Sequence, residues 1–336
     1  MMKYYKIMFF LFMTFGTLIT ISSYTWLSMW LGLEINLMSI IPLLTNYKNQ
    51  YASESALKYF ITQALASMIF LFSILILMKK VEQLTNWPNN MILMMMYSSI
   101  FLKMGAAPFH MWFPEVLEGL SWMNCMIMLT WQKIAPMVIM MNNFKFSLFV
   151  MTVIVSSLIF SSILGLNQIS LRKILAYSSI NHIAWMLSSM FNTKIIWMIY
   201  FLIYSIVTMS TILILKKFMI SYINQISFSK ENKMENLILS ANILSLAGLP
   251  PFLGFLPKWL TINHLIFDKN YFLAFILVFF TLLAIYFYLR LTFSSISMAT
   301  VQSVIKLNEN MKFYTIFLNI ILASGLILST LILNNF

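Results

Sequence analysis

Charge is the scarcest commodity in this sequence. Only 9% of its 336 residues are charged, against about 25% in an average soluble domain. With 61% hydrophobic residues and a mean hydropathy of +0.88, this excludes a water-soluble globular fold and predicts a polytopic membrane protein. Acid is scarcer than base, with nine Asp and Glu against 21 Lys and Arg. The single cysteine, Cys125, excludes an internal disulfide and a cysteine-ligated cluster. The three histidines, His110, His182 and His264, are isolated and lack metal-ligand spacing. The chain therefore offers no obvious place for a redox centre, and no cofactor or metal is expected in it.

What is present is apolar helix. The length allows roughly ten or eleven spans of about 20 residues, with no room for a separate soluble domain. Usage rich in Met, Asn and Phe fits an A+T-rich organellar genome. The N-terminal apolar segment lacks a small-residue cleavage site and runs into a second apolar segment, so no cleavable signal is expected. The net charge of +12 is spread along the chain, and no block of like charge suggests a nucleic-acid surface.

Hydropathy predicts eleven spans near 5–23, 24–44, 57–79, 90–119 (broken), 121–141, 146–166, 170–190, 194–217, 236–267 (broken), 271–291 and 313–334. All are expected as helices, because an open strand in lipid leaves backbone groups unpaired. Short loops join them, except near 218–235 and 292–312. With the N-terminus inside, inner loops hold 13 Lys and Arg and outer loops 5. That bias predicts an inside N-terminus and, for an odd number of spans, an outside C-terminus. Three lysines fall within spans instead: Lys103, Lys133 and Lys258.

The breaks in the fourth and ninth spans repeat. Gly105, Pro108, Phe109 and Pro114 recur as Gly248, Pro251, Phe252 and Pro257, each 143 residues later. The same offset lays span 1 on span 6 and span 2 on span 7. Five spans per repeat is odd, so the two units are expected in opposite orientations. Residues 1–144 and 145–291 then form two inverted five-helix repeats, followed by a loop and C-terminal helix at 292–336. Inverted repeats with a discontinuous helix in each are an architecture of ion-translocating membrane proteins.

Charge inside spans marks the candidate chemistry. Glu34 lies near the centre of the second span. Lys103 lies roughly 20 Å into the fourth, too deep to snorkel easily. A lysine held from water beside a carboxylate can exchange its proton near neutral pH, as a proton relay requires. The bland alternative is a fixed salt bridge positioning the broken helix. Lys133 would extend the polar path, or face a partner subunit. Lys258, after the second break, would end that path or serve as a flank. His182 lies among Ser178, Ser179 and Asn181, a setting for a proton wire or for ordinary interhelical hydrogen bonds. Tyr177 stands 143 residues after Glu34, so the second unit does not copy the acidic site. His110, Glu115 and Glu118 either line an exit to water or cap the second half-helix. Cys125 reads as a packing residue.

The segments KMGAAPFHMWFPEVLEG, SSINHIAWM, SLAGLPPFLGFLPKW and WLGLEINLMSIIPLL resemble the antiporter-like membrane subunits of respiratory complex I, over essentially the whole chain. That resemblance implies two inverted five-helix units in the membrane arm and kinship with cation/proton antiporter complexes. Animal members lack three N-terminal helices of their bacterial counterparts, which suits a glutamate in span 2. The resemblance implies that Glu34 is the family's helix glutamate and Lys103 the lysine of the first broken helix. By the same implication Lys133 is the connecting lysine, Lys258 the lysine of the second broken helix, and His182 part of the linking polar axis. The expected function is proton translocation in the mitochondrial inner membrane, coupled to electron transfer from NADH to ubiquinone. NADH, FMN, iron–sulfur clusters and ubiquinone are expected in the wider complex. Expected partners are the other membrane-arm subunits and membrane lipids, cardiolipin among them. The rival readings are a stand-alone cation/proton antiporter and a scaffold subunit with structural buried charges.

Overall fold

A computed structural model describes residues 4–45, 49–82, 89–142, 148–191, 193–226, 233–296 and 325. The expected C-terminal span at 313–334 lies outside the described residues, save for residue 325. The chain divides into two compact units, Met1–Val153 and Ile154–Phe336. Among the described residues every regular element is a helix, as backbone in lipid demands. Six of these helices are long and apolar enough on their own to cross a membrane.

The first unit opens with α1 (Tyr4–Ser22) and α2 (Trp26–Leu44), joined by three residues. Thr25 caps α2, its hydroxyl accepting from the Ser28 N–H. The two helices approach through small residues. A Cβ added at Gly32 would lie 2.9 Å from the Gly16 carbonyl oxygen and 2.6 Å from Thr20 Cγ2. Such close backbone contact is how membrane helices associate without a hydrophobic drive between them.

The third helix, α3 (Gln50–Glu82), has 33 residues. At 1.5 Å per residue it is about 50 Å long and exceeds a hydrocarbon core of roughly 30 Å. It starts well before the expected span at 57, so Lys58 lies inside the helix rather than at its start. The fourth span is broken as expected, into α4 (Asn89–Met104) and α5 (Trp112–Gly119). The fifth is also interrupted, into α6 (Trp122–Leu129) and α7 (Trp131–Asn142). The interruption falls at Thr130, whose backbone N–H and hydroxyl both donate to the Met126 carbonyl, at 3.1 and 2.7 Å. Pro136, within α7, has no N–H to give the Gln132 carbonyl.

The helix α8 (Leu148–Leu166) contains the division between units. The second unit continues with α9 (Leu171–Ser189), α10 (Lys194–Phe218), the short α11 (Ile223–Ile226), α12 (Lys233–Ala247), α13 (Phe255–Phe267) and α14 (Tyr271–Ile296). Helix α9 is the polar one, and it is buried on all sides from Ile174 onward. Packing against α10, α13 and α14 removes its Ser, Asn and His side chains from lipid.

The two breaks share one hydrogen-bond frame. In the first, Gly105 N–H donates to Leu102 O, Ala106 to Phe101, Phe109 to Ala106 and Phe113 to His110. In the second, Gly248 donates to Ser245, Leu249 to Leu244, Phe252 to Leu249 and Leu256 to Leu253. Each bond of the second set lies 143 residues after its mate in the first. Gly105 and Gly248 have φ of 74° and 75°, so both helices end in a Schellman motif whose left-handed residue is glycine. The bonds before Pro108 and Pro251 are both cis.

Candidate functional site

The first unit gathers its polar side chains at the end of α4. Lys103 sits in the last turn of that helix, where free carbonyls favour a cation, and it is buried. It lines a cavity of about 20 Å³ with Leu33, Asn36, Leu37, Tyr59, Gln63, Gln132 and Pro136, enough for about one water. Asn36 and Gln132 clasp each other through both amides, Nδ2 to Oε1 at 3.0 Å and Nε2 to Oδ1 at 3.1 Å. Tyr59 donates to the same Gln132 oxygen at 3.4 Å. Gln63 Nε2 donates to the Lys103 carbonyl at 3.4 Å, meeting one acceptor left over at the helix end.

Glu34 is half-buried in the middle of α2 and acts electrostatically on Lys103. No ion pair of 4.0 Å or less joins the two. The pair is thus coupled through space without direct contact. Lys133, three residues beyond the Thr130 stop, is buried with its Nζ 5.6 Å from the centre of the Phe113 ring. Phe113 also packs against Gly105, whose added Cβ would meet it at 3.2 Å. One aromatic residue therefore touches both the break and the second lysine.

The three polar residues after the first break separate. His110 is buried, whereas Glu115 and Glu118 are exposed. Glu115 pairs with Lys58 at 3.0 Å, and Lys58 also reaches Glu54 at 3.2 Å. Those three side chains are about half exposed, so this cluster joins α3 to α5 at a surface.

In the second unit, His182 lies on buried α9 with Nδ1 at 2.9 Å from Tyr200 Oη, and the tilted Tyr204 ring has its centre 4.9 Å from that of the imidazole. Lys258, near the start of α13, is buried too. Its Nζ donates to the Ala247 carbonyl at 2.7 Å, across the break from the helix end it neutralises. The same Nζ stands 5.7 Å from the centre of the Trp185 ring. Gly248 leaves the passage for that side chain, since an added Cβ would lie 2.7 Å from Lys258 Cδ. Glu34, Lys103 and Lys133 thus belong to the first unit, and His182 and Lys258 to the second.

Charge in a span pointed to the lysines and the glutamate. It passed over Asn36, Tyr59, Gln63, Gln132, Tyr200 and Trp185, which carry no charge. A search for amides and phenols inside apolar helices was the available signal.

Comparison with known proteins places these features in context. A family model described as "NADH:quinone oxidoreductase/Mrp antiporter, TM" matches residues 23–284. The NADH-ubiquinone oxidoreductase chain 2 of Anopheles gambiae is 48% identical over 331 residues, covering 96% of each chain. That of Mus musculus is 39% identical over 289 residues, covering 83% of each. A chain of respiratory complex I from Thermus thermophilus, solved with bound aureothin, superposes with a TM-score of 0.85 at 21% identity. It covers 99% of this chain and 80% of that one, and shows the same fold.

Proposed function

The chain belongs to the NADH-ubiquinone oxidoreductase chain 2 family, within the NADH:quinone oxidoreductase/Mrp antiporter group, and from that premise we propose how it moves protons. It is a multi-pass membrane-arm subunit of complex I in the mitochondrial inner membrane, and it takes part in proton translocation driven by NADH oxidation. The redox groups (FMN, iron–sulfur clusters) and the sites for NADH and ubiquinone belong to other subunits. This chain performs no covalent chemistry. Its contribution is electrostatic coupling between neighbouring protonation states.

The observation that carries this reading is the Glu34–Lys103 relationship. A carboxylate acts on a buried lysine without closing an ion pair on it. A purely structural pair in a membrane interior gains most by direct contact. A lysine that lines a water-sized polar cavity, held apart from its carboxylate, stays responsive to a change in that neighbour. Glu34, Lys103 and Lys133 form the relay of the first unit. His182 and Lys258 form that of the second.

The eleven-span count follows from hydropathy, with the eleventh span at 313–334. The inverted-repeat division at 1–144 and 145–291 is supported by the shared hydrogen-bond frame at Gly105 and Gly248 and by five spans per repeat. Neighbouring membrane-arm subunits and lipids, including cardiolipin, cover the apolar outer faces.

The test is Lys103→Met in the assembled complex, with proton pumping and NADH–quinone activity measured together. Intact assembly with lost pumping is expected. Damaged assembly with an unchanged proton-to-electron ratio in whatever assembles would sink the relay and leave a scaffold.

A further inference from the structure

We infer that Trp185 is a positioning residue for Lys258, its indole face holding the ammonium group where a carboxylate would otherwise be needed. This rests on the proton-relay reading of Lys258 given above.

Lys258 is buried, and among the described residues no ion pair ends on it. A buried charge without a partner is costly. Two features meet it instead. One is the Ala247 carbonyl at 2.7 Å, at the negative end of α12. The other is the Trp185 ring, 5.7 Å from Nζ to the centroid. That distance is within the range where the electron-rich face attracts a cation, and tryptophan is the strongest aromatic for the purpose.

Packing alone does not require an indole there. Trp185 is 1% exposed, yet among the described residues its Nε1–H has no hydrogen-bond partner. A buried tryptophan N–H is usually satisfied. Phenylalanine or leucine would fill space without stranding a donor. The ring face is the property that the smaller residues supply weakly or not at all. Trp185 also stands one helical turn from His182 on α9, so one helix face presents both residues to the second unit's relay.

The ring attracts only the charged lysine, which gives it a pH signature. The other titratable groups are His264 on α13 itself and, on the helices packed against it, Arg172, Lys173, Tyr177 and His182 on α9, Lys194, Tyr200, Tyr204, Lys216 and Lys217 on α10, and Tyr271, Tyr286, Tyr288 and Arg290 on α14. None of them is altered by truncating Trp185 to another apolar residue.

The experiment uses the assembled complex in sealed vesicles, with NADH-driven pumping followed across pH. In Trp185→Leu the acid plateau of pumping is retained and the alkaline limb moves to lower pH, by about 0.4 to 1.5 pH units. Trp185→Phe keeps a weaker face and moves the limb less, in the same direction. A limb that stays in place, or pumping scaled down equally at every pH, overturns the inference. If Trp185→Leu does not assemble, Trp185→Phe decides by the same criterion. Lys258→Met separates the two claims. If that variant pumps normally, the relay reading of Lys258 fails. If it stops pumping while Trp185→Leu leaves the profile unmoved, only the Trp185 inference fails.

Discussion

Gly248 stands directly beneath the side chain of Lys258. A methyl group on it would lie 2.7 Å from Cδ and 2.8 Å from Nζ. Gly248→Ala therefore adds two effects. The left-handed φ of 75° disfavours alanine by about 1 to 2 kcal/mol. The lysine, the more flexible party, is also pushed off the Ala247 carbonyl. Losing a charge-assisted bond of that kind predicts pumping about tenfold slower in a complex that still assembles. Gly105→Ala meets Phe113 instead, at 3.2 Å, and is expected to do less. Pumping rates normalised to assembled complex test the order, and equal effects would refute it.

The Asn36–Gln132 clasp should behave as one unit. Asn36→Leu or Gln132→Leu alone strands the other amide beside Lys103. The double variant strands neither. Interhelical hydrogen bonds of this type average about 0.6 kcal/mol in membranes, so a double-mutant cycle on pumping should show a coupling of about threefold. Simple multiplication of the two single effects would show that the clasp is incidental.

These two sites differ in how far the sequence announces them. Lys103, Lys133 and Lys258 were visible because a charge in hydrocarbon is expensive enough to demand a reason. Both breaks were visible because Gly and Pro are rare here and recur at one offset. The amides were not, since Asn36 and Gln132 are tolerable on many helix faces and meet only through packing of α2 against α7. The stop at Thr130 was also hidden, because threonine is compatible with a continuing helix and its hydroxyl bond is a local choice. Trp185 reads as one more apolar residue until Lys258 is seen above its ring. Helix α9 looked like a span with a polar patch, whereas its burial on every side makes it the interior of the second unit.

Lys58 supplies the contrast to the buried lysines. It pairs with Glu54 and Glu115, but all three side chains are about half exposed. Exposed ion pairs contribute little to stability. Lys58→Met should leave assembly and pumping near the wild-type level, even though it removes two contacts. A loss of pumping as large as that of Lys103→Met would move this cluster into the proton path. Titrating the pumping rate with salt gives a second check, because an exposed cluster is screened within about 8 Å at physiological ionic strength.

The α1–α2 contact sets where Asn36 sits, so it should be felt at Lys103. A Cβ at Gly16 would fall 2.9 Å from the Asn36 backbone nitrogen and 3.0 Å from the Gly32 carbonyl oxygen. Both obstacles are backbone, so the helices must part rather than a side chain turn aside. Overpacking of this kind costs about 1 to 3 kcal/mol. Gly16→Ala should lower the yield of assembled complex and, in what assembles, loosen the clasp to Gln132. Its effect on pumping should then overlap with that of Gln132→Leu: the double variant should be no slower than the slower single. Fully multiplicative rates would mean that α1 merely anchors the subunit. Wild-type yield and rate in Gly16→Ala would mean that the close approach of the two helices has no bearing on the site.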